Sequence, residues 1–384
     1  MTDEINRRIR TLLPMACDGV GPSQTCLDIA RGMQAAGADI DVFVNRISVP
    51  KGRLPVKSLL SGPFSRIPYP WTKGILTRIL EEWYLHNTRE TDVAYLWPGT
   101  SIRVHREIHR RSIPIVLEGI NTRMKHAKSV LDAAYEELGA TPAHNITEQR
   151  IQEEEEQLSL ATSILAPSPA VESALRGHPI ASRVISSSYG THVPSRLPPL
   201  ASSRRQSEVV FLFCGYACVR KGIHHLLTVW PRMPSTARLR IVGRIEPLIA
   251  EKFSRVLSSG QVELTGFVND VAAEYAAADV FVLPSLEEGD PLVTYEAAVR
   301  GLPLLVSAMG AGRLVHASWV IEPSNQDELL HALSAVHLSR CLRQKLGERA
   351  QAAVTAHDWT VVGEKRLRGI SQLLSREYVA GINK

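Results

Sequence analysis

Residues 285–312, SLEEGDPLVTYEAAVRGLPLLVSAMGAG, constrain the fold more tightly than any other stretch of this chain. An apolar run, 279–284, leads into it, and a second, 302–306, leads out. Between them lie a polar loop, a helical segment and the stop made by Gly301 and Pro303, which ends a helix as a C-terminal glycine and a later proline do. Strand, loop, helix, stop and strand make a parallel crossover unit. In such sheets ligands lie beyond the carboxyl ends of the strands, where this loop must be.

Glu288 and Glu296, with seven residues between them, flank a corner made of Gly289, Asp290 and Pro291. Pro291 is expected in the first helical turn, where a missing N–H costs nothing. The free N–H groups from Leu292 onward then form an anion seat. Glu296 falls about 7 Å further along the axis at about 1.5 Å per residue. Carboxylates accept from hydroxyls, so the two acids can grip two hydroxyl-bearing ends of one ligand with its phosphates between them. A sugar nucleotide has that form. For glutamates at arbitrary positions solvent exposure is the better explanation, but Glu296 stands among Leu292, Val293, Tyr295, Ala297 and Ala298.

A second segment, VVFLFCGYACVRKGIHHLL at 209–227, reads as an apolar strand, a loop containing Gly215 and Gly222, and a helix start. Arg220 and Lys221 sit where a bound anion would meet that helix. Arginine can grip phosphate oxygens in pairs, and lysine acts as a point charge. The glycine spacing is not that of a Walker loop, and no Ser or Thr follows the lysine. Standing alone, the segment fits a basic surface turn equally well.

Together these segments resemble the retaining GT-B glycosyltransferases of family 4, the glycosyl transferases group 1. The matching features are Gly215 with Arg220, Lys221 and Gly222, then LRIVG, VELTGFV, AAADVFVLPS, the glutamate pair with Gly289 and Pro291, EAAVRGLPLL and VIEPSNQDELLHAL. They cover 209 to about 340, with a weaker echo in ATSILAPSPAVESAL at 161–175. The resemblance implies that Glu296 binds the nucleotide ribose, Glu288 contacts the donor sugar, and Arg220 with Lys221 holds the diphosphate. Two departures stand out. Tyr216 occupies a position where many members carry arginine, and the strand IPIVLEG is followed by Ile120 and Asn121 where many carry histidine. The amino-domain catalytic contact then falls to Asn121 or His126, although Asn121 fits a helix cap as well.

The amino half also alternates strands and helices: TLLPMAC, a helix to about Ala36, IDVFV, DVAYLW, IPIVLE and SILAP. Gly19 and Gly21 follow the first strand, where a backbone could approach a ligand closely. They make a poor dinucleotide fingerprint, because Gln24 replaces the third glycine and Asn45 stands where a ribose-binding acid is expected. A tight turn explains them equally well. The expected architecture is α/β GT-B, with two doubly wound Rossmann-like domains facing across a cleft. Residues 1–195 form the acceptor-side domain, 196–207 a linker, and 208–360 the nucleotide-sugar-binding domain. By resemblance, a helix over 361–384 crosses back onto the amino domain.

At 384 residues the chain is long enough for two cores. No apolar run reaches membrane-spanning length, and the N-terminus lacks a signal-peptide core. Five cysteines without zinc spacing point to reduced thiols, a cytoplasmic setting and no metal. The formal net charge of +5 favours anionic partners. It is concentrated at 46–80, where Arg46, Lys51, Arg53, Lys57, Arg66, Lys73 and Arg78 occur with no acid. Leu59, Leu60, Phe64, Tyr69, Trp71, Ile75 and Leu76 are interleaved. Such a segment suits peripheral docking on an anionic bilayer, and a solvated loop with an amphipathic core helix fits it equally well. No nucleic-acid motif accompanies the charge. The run 153–156, four glutamates, reads as an exposed helix face.

The expected function is transfer of a sugar from a nucleotide-diphosphate donor to a saccharide or lipid-linked acceptor, without a cofactor. Two rivals remain. A sugar-nucleotide epimerase on the same scaffold would need further acids and histidines around the sugar. A non-catalytic binding module would keep the cleft without the chemistry.

Overall fold

The computed structural model describes residues 7–19, 21–48, 54–60, 69–199, 208–268 and 270–382, with backbone alone at 69–73 and 376–382. In chain order, the first sheet contains β1 (Ile9–Cys17), β2 (Ile40–Ile47), β3 (Val56–Leu60), β4 (Val93–Leu96), β5 (Ile115–Glu118), β6 (Ser163–Ala166) and β7 (Val184–Ser186). The second contains β8 (Val209–Cys214), β9 (Ala237–Val242), β10 (Val262–Gly266), β11 (Val280–Leu283), β12 (Leu304–Val306) and β13 (Trp319–Val320). They lie side by side as β3-β2-β1-β4-β5-β6-β7 and β10-β9-β8-β11-β12-β13. All described ladders are parallel.

Helices cover both faces of each sheet, so the inner strands β4, β5, β6 and β11 are buried at every position. That explains their reading as unbroken apolar runs. The outer strands β3, β7 and β13 are only partly buried and carry no such run, so the sequence pattern misses them. Strand order reverses between β1 and β4 in one sheet and between β8 and β11 in the other. Crevices at the carboxyl ends of these pairs are where a doubly wound sheet binds ligands.

The chain returns to the first lobe through the helix Trp359–Ile382. Trp359, Val362, Ile370 and Leu374 join the amino-terminal core. This helix packs so closely on the helix Pro22–Ala35 that a Cβ at Gly32 would lie 2.1 Å from the Trp359 carbonyl oxygen. Beneath them Arg366 forms a fully buried ion pair with Glu118, the last residue of β5. Residues 200–207, most of the expected linker, lie outside the described residues. So do Lys51, Arg53, Phe64 and Arg66, and the side chains of Tyr69, Trp71 and Lys73.

Candidate active site

The cluster expected to bind a donor is assembled where strand order reverses between β8 and β11. After β8 the chain forms a loop, a single 3₁₀ turn at Val219–Lys221 and the helix Ile223–Val229. Gly222 joins turn and helix at φ 67°, and a Cβ there would lie 1.8 Å from the Pro284 carbonyl oxygen. Only glycine lets the Arg220-Lys221 turn press against the end of β11. Gly215, also at positive φ, leaves space that the Lys221 stem occupies: a Cβ would be 3.2 Å from its Cε.

Lys221 Nζ then lies 2.5 Å from Glu288 Oε1, and Arg220 Nη1 lies 3.2 Å from Glu288 Oε2. Ser285 Oγ donates to Glu288 Oε1 at 3.2 Å. Burial alone would push the Glu288 carboxyl up, but Lys221 and Arg220 outweigh it and hold the group below the usual range. Reciprocally, the charge of Glu288 raises the Arg220 pKa. Three of the four residues expected to share a site are therefore in direct contact.

The fourth, Glu296, lies on the helix Leu292–Val299 and accepts from the Tyr275 hydroxyl at 2.8 Å. Burial raises its pKa, opposed by that hydrogen bond. The Cys214 thiol at the tip of β8, raised to about 11 chiefly by burial, feels the charges of both Glu296 and Lys221. One expectation is corrected here. Pro291 is the N-cap, with extended φ −72° and ψ 114°, and Leu292 opens the helix. A proline side chain cannot accept at a cap, so the amides of this short helix have no capping group from Pro291. At its far end Gly301, at φ 66°, donates to the Ala298 carbonyl as expected.

The loop 119–122 of the amino-terminal lobe rests on this corner. A Cβ at Gly289 would lie 1.8 Å from the Ile120 carbonyl oxygen. Glu287 Oε1 accepts from the Thr122 amide at 3.1 Å and the Thr122 hydroxyl at 2.9 Å. Burial raises the Glu287 pKa, and Arg220 opposes it. Asp290, grouped by sequence with the ligand-binding residues, lies in the seam between the lobes. It accepts from the Tyr189 amide at 2.6 Å and from the Tyr295 hydroxyl at 2.7 Å. Burial raises its pKa to about 7. Nearby Arg313 reaches into the first lobe, donating to the carbonyls of Ser187 at 2.7 Å and Ala166 at 3.1 Å and pairing with Glu172.

The amino-terminal candidates separate. Asn121 is exposed at the seam and lines a cavity, whereas His126 is exposed on the helix Met124–Glu137 and is not part of that wall. Asn121 does not cap this helix, whose N-cap is Arg123; instead Glu154 accepts from the Met124 amide at 2.7 Å. The run 153–156 is accordingly not a free surface. Glu154 is pushed up to about 7 by burial, Glu155 pairs with Arg123, and Glu156 with Arg106. The physical reason is that the helix Glu148–Leu160 packs across two neighbouring helices, bringing these three carboxylates to donors, while Glu153 accepts from Gln149 on its own helix. Gly21 is the N-cap of Pro22–Ala35 at φ 56°, and Gly19 also has positive φ, so both serve the turn after β1.

Sequence reasoning missed Glu287, Tyr189, Arg313 and Arg366. Their partners lie from 101 to 248 residues away. Of these only Glu287 carried a local signal, its place beside Glu288. Among the described residues, no group of three His, Cys, Asp or Glu side chains could hold a metal ion.

With this geometry in view, comparison with known proteins is decisive for the architecture. WaaG, a glycosyltransferase involved in lipopolysaccharide biosynthesis, superposes over 94% of this chain and 98% of its own at a TM-score of 0.64 and 16% identity. The fold is GT-B. Sucrose-phosphate synthase from Thermosynechococcus elongatus covers 97% of this chain and 100% of its own, with a TM-score of 0.69 and 19% identity. Anabaena HepE, solved with UDP and glucose, covers 96% and 99% at a TM-score of 0.66 and 16% identity. Within this GT-B chain, residues 208–338 match the family described as Glycosyl transferases group 1. In sequence, the lipopolysaccharide glucosyltransferase WaaG of Escherichia coli is 26% identical over 171 residues, 42% of this chain and 46% of that protein. The chain spans less than half the length of the curated relatives it matches.

Proposed function

We propose that this protein is a retaining glycosyltransferase that moves a sugar from a nucleotide-diphosphate donor to a saccharide or lipid-linked acceptor. The observation that carries the proposal is the contact of Lys221 and Arg220 with Glu288 at the strand-order reversal of the second sheet. A group 1 match over the same lobe supports it. Relatives include a UDP-galactose-dependent transferase of Escherichia coli acting on a diphosphoundecaprenol-linked sugar, 39% identical over 77 residues.

In this reading the diphosphate meets Arg220 and Lys221, and Glu288 is freed toward the sugar hydroxyls. Glu296 holds the ribose, and Gly215, Gly289 and the amides from Leu292 border the donor. As the sugar–phosphate bond breaks, charge grows on the departing diphosphate, and the two cations stabilise it without reorganising. The acceptor oxygen attacks from the face being vacated. Its proton passes to the leaving phosphate oxygen, so no covalent nucleophile or metal is invoked. Asn121 is the better placed of the two amino-domain candidates to meet the acceptor, because it stands at the seam.

We also place the protein in the cytoplasm, touching the membrane surface through 46–80. No described helix is long and apolar enough to cross a membrane. Support for surface contact comes from the helix Tyr69–Asn87, which leaves Ile75 70% and Ile79 50% exposed, one turn apart beside exposed Arg78.

The test begins with thermal shift against UDP-, GDP- and ADP-sugars, where a true donor at a hundred times its dissociation constant adds about 2.7 kcal/mol. Lys221→Ala should lower transfer by about 10²–10³-fold, the size of a lost transition-state donor, and Glu296→Ala, which removes an acceptor for the ribose hydroxyls, should also lower it strongly, both with unchanged circular dichroism. Wild-type turnover in both variants refutes the assignment.

A further inference from the structure

Resting on the transferase reading, we infer that Tyr135 and Glu246 are positioning residues: together they fix the turn bearing Arg220 and Lys221 against the first lobe, in the geometry the donor diphosphate needs. Tyr135 belongs to the first lobe, on the helix Met124–Glu137. Glu246 belongs to the second, in the loop after β9. The Tyr135 hydroxyl donates to Glu246 Oε1 at 2.6 Å, and the Val219 amide donates to Glu246 Oε2 at 2.8 Å. Val219 opens the 3₁₀ turn that carries the two cations. One carboxylate therefore joins a first-lobe helix to the first residue of that turn.

This is an expensive way to make an ordinary packing contact. Glu246 is 6% exposed and Tyr135 5%. Burying a carboxylate is unfavourable, and both of these donors are neutral. Glu246 stands at the N-cap of the helix Pro247–Lys252, yet its side chain does not cap that helix and reaches to Val219 instead. Burial, and after it the Glu246 carboxylate, raises the Tyr135 pKa, so the hydroxyl keeps the proton it donates.

The surroundings are built to carry position from one lobe to the other. The Ala217 amide donates to the Arg244 carbonyl at 2.8 Å and the Glu246 amide to the Ala217 carbonyl at 2.9 Å, which continues the pairing of β8 and β9 past the strands. On its other side the turn is held by the loop after β11, where the Leu286 amide donates to the Arg220 carbonyl at 2.9 Å. That loop meets the first lobe through Glu287 and Thr122. The turn thus has two supports, and the single segment from Thr122 to Tyr135 touches both. Ala134 and Tyr135 are also members of the second lobe's apolar core, which anchors the end of their helix there. Arg220 and Lys221 are long side chains on a turn of three residues with no side-chain cap of its own. Their aim follows from where its backbone is held, and cations already in place need not reorganise as phosphate charge grows.

The experiment titrates the full chain calorimetrically with UDP and UMP, GDP and GMP, and ADP and AMP. For the base that binds, it yields the preference for diphosphate over monophosphate. In Tyr135→Phe that preference should fall about tenfold, the size of one lost hydrogen bond to a charged group. A purely structural role would lower the melting temperature and leave the preference as it was. Glu246→Ala should show the same fall. Glu246→Gln should restore the preference to the wild-type level or above, because its amide can donate to the Tyr135 oxygen while its carbonyl accepts from Val219. An unchanged preference in Tyr135→Phe, or no recovery from alanine to glutamine at 246, overturns the inference. Should Tyr135→Phe not fold, Glu246→Asp, too short to span both donors, carries the same expectation and the same refutation. The donor reading fails separately. If the wild type binds no diphosphate more tightly than its monophosphate, that reading falls and takes the inference with it. A wild-type preference that Tyr135→Phe leaves intact removes the positioning role alone.

Discussion

Arg366→Met removes a guanidinium that is fully buried against an equally buried carboxylate. In the wild type Arg366 donates to the two Glu118 oxygens at 2.7 and 3.1 Å and to the Ser188 carbonyl at 2.9 and 3.1 Å. It also donates to the Tyr95 hydroxyl at 3.2 Å. Methionine keeps the apolar stem and loses every one of these bonds. Glu118 is then left buried with Tyr95 as its remaining donor. Breaking a buried pair from one side costs about 3–5 kcal/mol, whereas replacing both partners is often close to neutral. Urea unfolding should therefore show Arg366→Met destabilised by about that amount. The double variant Glu118→Met, Arg366→Met, apolar at both positions, should recover most of it. Glu118 precedes the loop that touches Glu287 and Gly289, so transfer should fall along with stability. A loss below about 1 kcal/mol, or a double variant no more stable than the single, refutes the reasoning.

Gly289→Ala should force the lobes apart, because its methyl would meet the Ile120 carbonyl at 1.8 Å and backbone lies on both sides. At least a tenfold loss of transfer is expected, since a displacement of about 1 Å at a reacting centre can cost about 10²-fold; unaltered kinetics would show that the seam is not needed. Asp290 titrates at about 7 in the folded protein instead of 3.8, because burial disfavours its charge. The folded form thus holds its proton to higher pH, and stability should decline as pH rises from about 4 to 7. Asp290→Asn, neutral throughout, should flatten that decline in thermal melts, and an unchanged slope would argue against it. Glu154, also raised to about 7, should contribute to the residual slope, which Glu154→Gln should reduce further.

The parallel architecture could be read from the chain because its inner strands are covered on both faces. Burial there demands unbroken apolar runs, and glycine must follow wherever backbone approaches backbone. Gly222 shows the principle: its Cβ would collide with Pro284, 62 positions further on, so glycine is present whatever the ligand. The Arg220, Lys221 and Glu288 cluster was legible for a related reason. Each sits at the carboxyl end of a strand, and strands β8 and β11 are neighbours.

Glu287 and Glu288 mark the limit of such reading. Adjacent in sequence and identical in type, one faces Lys221 and the other faces Thr122 across the seam. The run at 153–156 repeats the lesson, since packing against other elements gave Glu154, Glu155 and Glu156 their partners, while Glu153 pairs with Gln149 on its own helix. Local pattern determines which segments become strands, helices and turns, because pleat and helical period act on neighbouring residues. The seam, the buried pair under the returning helix and the cavity beside the Arg220, Lys221 and Glu288 cluster arise from surfaces that meet only after both lobes have formed. No spacing along the chain encodes which surfaces those are, so tertiary structure alone decided them.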